Sequence, residues 1–510
     1  MKYFSNLPNT LKAFLAFFII LFTCSSCDLF SQWVIDPATV TKFADGAFID
    51  PDGRLVITQF GITWQFDKEY TYGRFANGDY WVVGPVTIIS IYPQSRNTSG
   101  RKINGSMLNP SPSLGSDQGY DSACEFLNYV PGLNVASGVS NSNPLILPNG
   151  SSLISTQSIS AAGYRPQVYA AAILTVLASA PSSGSFRPPY CGTDKTIKYN
   201  ISQLTSAKYT LLGRLTPVAG TPSLATVEAY FERPWIDHLS VWTCRYIHPL
   251  ANMPDYGREM ATEIGIGALM LQLDFTDSEK ELLLIRYLQL GIDFYGIVQN
   301  GGGWEANGGH ASGRKWPIIF AGIMLDDADM QNVGQKSGDY AYSGSYSPGN
   351  LPADYIFFGE DDQTFYVTAD DVTRTNSGLW DPDLRGGAPE AYSSPGDIGL
   401  ADWGIRHVIE PYRDNKAWNA VYRSVTAVCW GGFVLAARIM EAGSSAKTLW
   451  NHDALFDYQD RYMAVTAAGS LNPDWRTSVS GMSSIWATHT DIRQTDNFVI
   501  NMWDTYRDDY

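Results

Sequence analysis

Apolar and polar positions change their spacing near residue 230. Before it, short runs rich in Val, Ile and Thr alternate with turn residues. Arg54 to Phe60 (RLVITQF) and Tyr80 to Tyr92 (YWVVGPVTIISIY) read as strands, because β-branched and aromatic residues suit a pleated, half-buried surface. Pro51-Asp52-Gly53 and Asn77-Gly78-Asp79 supply the turns before them. Gly, Ser, Pro and Asn are dense from Ser95 to Ser158, which predicts long loops. Residues 28–230 are therefore expected to form a β-rich, sandwich-like module.

After residue 230 the spacing becomes helical. Arg258 to Leu273 is apolar nearly all round beyond its first turn, the profile of a buried helix. Thr276-Asp277-Ser278-Glu279 is a capping box, and the helix it opens is predicted to run to about Val298 and stop at Gly301-Gly302-Gly303. Pro317 is placed as the first residue of a helix to Leu325, and Val421 to Ala442 as a long apolar helix. Helices joined by Gly- and Trp-rich loops predict an α/α toroid, an incomplete α-hairpin barrel, over residues 231–510. Residues 327–416 are irregular and are expected as long loops at its mouth. The fold class is thus α+β multidomain, a β-rich module followed by a helical toroid.

The first 27 residues differ from both halves. Lys2 and Lys12 are the only charges there, and Ala13 to Phe22 is an unbroken apolar run, too short to span a bilayer but suited to a signal peptide. Cysteines follow at Cys24 and Cys27. Ser26 is a suitable small residue before a cleavage point, so Cys27 is the expected lipidation site, and Cys24 the other choice. Export is expected, to the periplasm, the outer membrane or the cell surface, with a lipid anchor in the membrane.

Charge narrows the partners. With 35 Lys and Arg against 51 Asp and Glu, the formal charge is −16, which argues against nucleic acid. The 15 Trp and 29 Tyr supply flat faces on which sugar rings stack. Four Cys lie beyond the leader. Cys124 and Cys191 are in loop-like sequence, where a bridge is open to them, while Cys244 and Cys429 lie among apolar residues as buried thiols. Cations near Arg96 to Pro110 and Phe186 to Lys195 are expected as solvated loop charges.

Candidate chemistry concentrates in the second half. Gly301 to Lys315 (GGGWEANGGHASGRK) holds Trp304, Glu305, Asn307, His310, Arg314 and Lys315 among six glycines, which let a backbone approach a ligand closely. Pro249 to Glu263 contributes Asn252, Asp255, Tyr256, Arg258 and Glu259. His238, Arg245 and His248 come just before it. Trp403 to His407 and Leu449 to Tyr462, with His452, form two further clusters. No His-x-Glu-x-x-His or similar spacing occurs, so no metal is signalled, and no P-loop or G-x-S-x-G elbow is present.

A leader, a β-rich module and a helical half with Trp, His, Arg and Tyr clusters resemble exported polysaccharide lyases of the α/α-toroid type, such as alginate and glucuronan lyases. The resemblance implies a uronate-containing polysaccharide as substrate, β-elimination without a cofactor, and proton transfer by His310 or Tyr256. Arg314, Asn252 or Asn307 would neutralise the carboxylate, so that the C5 proton becomes acidic. Glu305 is a further catalytic candidate, and Trp304, Asn307, Lys315, Arg258, His407, His452 and Tyr462 are the expected substrate contacts. Two other readings stand beside it. One is hydrolysis by paired carboxylates, with Glu305 and Glu259 or Asp460 as acid and base. The other is a surface lipoprotein that only binds glycan.

Overall fold

The computed structural model describes residues 45–160, 166–239, 241–253, 257–306, 309–338, 352–376, 395–403, 426–471 and 495–510. The leader and Cys27 lie outside the described residues. A β-rich region comes first and a helical region follows.

The β-rich region is two five-stranded sheets packed face to face. The outer sheet runs in the order 46–49, 55–59, 62–66, 86–92 and 145–147, and every neighbour is antiparallel. The inner sheet runs 72–74, 80–83, 168–177, 151–158 and 106–108, with one parallel pair between 80–83 and 168–177. Leu55, Ile57, Trp64 and Ile88 from the outer sheet meet Leu153, Ala172, Leu174 and Val176 from the inner one. Trp64 donates its indole N–H to Ser155 Oγ across this core at 3.0 Å.

The inner sheet is buried on its other face too. In strand Val168–Leu177 the alternate residues Ala171 and Ile173 belong to the core of the helical region, as does Ile154 next door. A strand covered on both faces carries a continuous apolar run instead of an alternating one. A charged contact crosses the same boundary. Arg187 donates Nε to Asp79 at 2.6 Å and both Nη atoms to Asp293, while its main chain pairs with the Gln289 side chain. Arg187 is buried. Lys195 is buried as well, its ammonium ringed by the carbonyls of Pro189, Tyr190, Cys191 and Gly192. Neither is the solvated loop cation that its sequence context suggests, because each finds a set of acceptors that replaces water.

The helical region contains α1 (Leu224–Phe231), α2 (Gly257–Leu271), α3 (Asp277–Gln299), α4 (Lys315–Leu325), α5 (Gly431–Ser444), α6 (Asp453–Leu471) and α7 (Asn497–Tyr506), with shorter turns between them. The predicted capping box opens α3: Glu279 N–H donates to Thr276 Oγ1 at 3.2 Å, and Thr276 N–H to Glu279 Oε2 at 2.8 Å. Helix α4 begins at Lys315, two residues before the predicted Pro317. Proline is still tolerated there, because first-turn N–H groups lack intrahelical acceptors. Close helix approaches use glycine. A Cβ on Gly291 of α3 would lie 2.2 Å from the Pro317 carbonyl, and one on Gly432 of α5 would lie 2.7 Å from Gly265 Cα of α2.

Residues 327–416 are less irregular than expected. Their described parts include the helical turns Ala328–Gln331 and Gly359–Gln363, helix Ala369–Asn376, and a two-stranded pair, Thr364–Tyr366 with Ala401–Trp403. Short elements of three to eight residues carry too little periodicity to stand out from Gly- and Ser-rich sequence. All four described cysteines are free and buried, so Cys124 and Cys191 are not bridged.

Candidate functional site

Asp237 is the hub where the two ends of the site meet. It follows the buried Trp235 and Ile236 and is itself buried. Its Oδ2 accepts from Arg314 Nε at 2.8 Å, and its Oδ1 stands 3.4 Å from His248 Nε2. Its backbone N–H donates to the Tyr190 hydroxyl at 3.0 Å. Burial opposes ionisation of the carboxyl, but the Arg314 guanidinium and His248 outweigh it and hold Asp237 well below the usual carboxylate range. His238, next in sequence, is buried between the edges of Tyr120 and Tyr190, and burial pushes it down to about 3, so that it is neutral.

Around this hub a small cavity forms. Arg245, His248, Gly257, Trp304, His310 and Arg314 line it, together with Asp237 and Cys244. The segment before α2 and the Gly-rich loop before α4 therefore reach one place, although about sixty residues separate them. Their closeness depends on Gly257: a Cβ there would sit 2.1 Å from the His310 carbonyl oxygen. Arg245 and His310 are half-buried at the cavity and are its cation and imidazole nearest to solvent access. The Arg245 guanidinium also lies over the Tyr246 ring, 5.4 Å from its centroid.

The other nominated residues occupy distinct places. Arg314 lines the cavity, yet its donors are engaged by Asp237, by the Ser312 carbonyl at 2.6 Å and by Met260 sulfur at 3.6 Å. Trp304 is buried, stacked on Phe358 and edge-on to Phe294. Lys315 is fully buried; it donates to Asp361 at 2.5 Å and to the Trp450 carbonyl at 2.6 Å. That places it inside the core, away from any surface that a polymer reaches. His452 is buried with Nε2 2.8 Å from Thr364 Oγ1, and Tyr462 is buried in α6. Asn252 holds the Arg233 carbonyl at 3.2 Å and is not part of the cavity. Arg258 pairs with its neighbour Glu259 at 3.0 Å, and Glu305 is exposed. Tyr256, Asn307 and His407 lie outside the described residues.

Two groups that matter here were not singled out by sequence as site candidates: Asp237, which lies in an apolar stretch, and Glu360, which sits in a segment that reads as loop. Arg245 was noted only as lying just before the Pro249 to Glu263 cluster. Glu360 is buried beneath the His310 loop and accepts the Gly313 N–H at 3.0 Å. Its other oxygen has no hydrogen-bond partner among the described residues. Burial, and then the neighbouring Asp361, push its carboxyl up to about 7. The signal available in sequence was the acidic run Glu360-Asp361-Asp362 flanked by Phe358 and Phe365, an odd setting for solvated charge.

A wider cleft of about 260 Å³ lies elsewhere, between residues 186–199 and α3. It has polar walls but no histidine, so acid–base chemistry favours the smaller cavity. Among the described residues no helix is long and apolar enough to cross a membrane. No protein-family model, curated protein or solved structure matches this chain.

Proposed function

We propose that the chain is an exported enzyme that cleaves a uronate-containing glycan by β-elimination, anchored through Cys27. One observation carries the reading: His310 and Arg245 line the same cavity. Arg245, half-buried at the cavity, takes the role of neutralising the uronate carboxylate, while the Arg314 guanidinium holds Asp237. His310 removes the C5 proton, the electron pair forms the C4–C5 double bond, and the C4–O bond breaks. Tyr256, adjacent in sequence to the cavity-lining Gly257, protonates the leaving oxygen. Arg314 is then a positioning residue, holding Asp237 and the loop that presents His310. The helical region is read as part of an α/α toroid, a reading supported by the packing of α3 on α4 and of α2 on α5.

Incubation with a panel of uronate polymers tests this. Products with a conjugated double bond, visible in the ultraviolet, are expected. His310→Ala and Arg245→Ala should each lower turnover by roughly a hundredfold or more. Cleavage into saturated ends, or full activity in His310→Ala, rejects the reading.

Glu360 favours a second one. A buried carboxyl near neutrality with one open oxygen suits a general acid, so hydrolysis would use Glu360 in place of the exposed Glu305. Glu360→Gln abolishes a hydrolase of that kind and spares a lyase.

A further inference from the structure

We propose that Asp237, Cys244 and His248 form a zinc site in the wall of this cavity. Their donor atoms lie within 4.8 Å of one another, and all three residues are buried. They fall within twelve consecutive positions. The short 3-10 turn Val241–Tyr246 brings Cys244 back over Asp237 and sets it four residues before His248.

The geometry suits a shared cation better than a hydrogen bond. Asp237 Oδ1 and His248 Nε2 are 3.4 Å apart. That is long for an N–H···O bond, whose usual distance is about 2.9 Å. Two ligands of a tetrahedral zinc, each 2.0–2.1 Å from the metal, stand about 3.3 Å apart. The one hydrogen-bonding contact of His248 is through Nε2 toward Asp237, its Nδ1 being buried with no partner among the described residues. The Cys244 sulfur lies 3.9 Å from the Ile236 carbonyl and also meets the Asp237 carboxyl and the Leu239 main chain.

The two oxygens of Asp237 are divided. Oδ2 is held by Arg314, and Oδ1 faces His248. A metal-binding carboxylate is commonly fixed in this way, one oxygen on the ion and the other on an outer partner. Thiolate, imidazole and carboxylate together are a zinc donor set. Three protein ligands leave a fourth position, which opens on the cavity that His310 lines. Binding displaces one proton from the Cys244 thiol to solvent and changes no oxidation state.

The site stands apart from the lyase reading, and its test needs no glycan. The full mature chain is equilibrated with zinc, dialysed, and its metal content measured; about one zinc per chain is expected. Cobalt in place of zinc should give a thiolate charge-transfer band and the intense visible bands of tetrahedral geometry. Cys244→Ser should lose the charge-transfer band and most of the zinc, whereas Cys124→Ser should keep both. If Cys244→Ser does not fold, displacement of the cobalt band by zinc in the wild-type chain, with His248→Gln as the second variant, decides the matter. Folded wild-type protein that holds less than about a tenth of an equivalent of zinc and shows no cobalt–thiolate band overturns the proposal. So does equal loss of metal in Cys124→Ser.

Discussion

Glu360, Asp361 and Asp362 are consecutive buried acids, and each is accommodated differently. Asp361 accepts from Lys315, from the Trp450 indole at 2.8 Å and from Ser337 at 3.2 Å. Asp362 accepts from the Tyr355 hydroxyl at 2.7 Å. Burial and the neighbouring Asp361 keep the Glu360 proton on to about pH 7 in the folded chain, and it leaves near the ordinary carboxyl value of 4.5 in the unfolded one. A raised folded pKa contributes stability that is fully present below 4.5 and is lost as pH rises to 7. Against Glu360→Gln, the wild type should therefore lose about 3 kcal/mol between those limits. Denaturant melts at pH 4.5 and 7 check this, and a difference that does not change with pH refutes it. Sequence showed which residue types gather in Gly301–Lys315, but not their partners. Arg314 finds Asp237 at a separation of 77 residues and Lys315 finds Asp361 at 46. Such pairings are set by tertiary packing, and no local pattern encodes them.

At the scale of elements, α2, α3 and the strand Leu55–Gln59 were legible from their apolar runs and bounding turn or cap residues. The helix expected over Val421 to Ala442, by contrast, begins only at Gly431, after a 3-10 turn at Ala427–Cys429, with residues 421–425 outside the described residues. The boundaries of α2 and α3 fall within a few residues of those predicted. Strand Val168–Leu177 was not legible, since burial of both faces erases its alternation. The start of α2 is coupled to the candidate site through Gly257, whose missing side chain lets the His310 backbone pass. Gly257→Ala should push the loop from the helix. It should cost roughly 1–3 kcal/mol by overpacking and lower turnover on the true substrate together with stability. Thermal melts and rates measured on the same preparation test this; an alanine variant with unchanged stability and rate shows that the loop yields without consequence.

For the whole molecule, the decisive feature is the boundary between sheets and helices. Arg187 ties Asp79 of the sandwich to Asp293 of α3 inside the protein. Removing one partner of such a buried pair leaves charge uncompensated, so Arg187→Met should cost about 3–5 kcal/mol. Far-ultraviolet circular dichroism and tryptophan fluorescence should both follow one shared unfolding transition in the wild type. Loss of stability below about 1 kcal/mol in the variant rejects the tie. The inner sheet turns Ala172, Leu174 and Val176 toward the sandwich and Ile154, Ala171 and Ile173 toward the helices. Its genetic consequence is that the halves cannot be shuffled as cassettes. A recombinant that inherits the helices with a foreign sandwich would expose their apolar floor to water, so the two halves would have to be exchanged as one block.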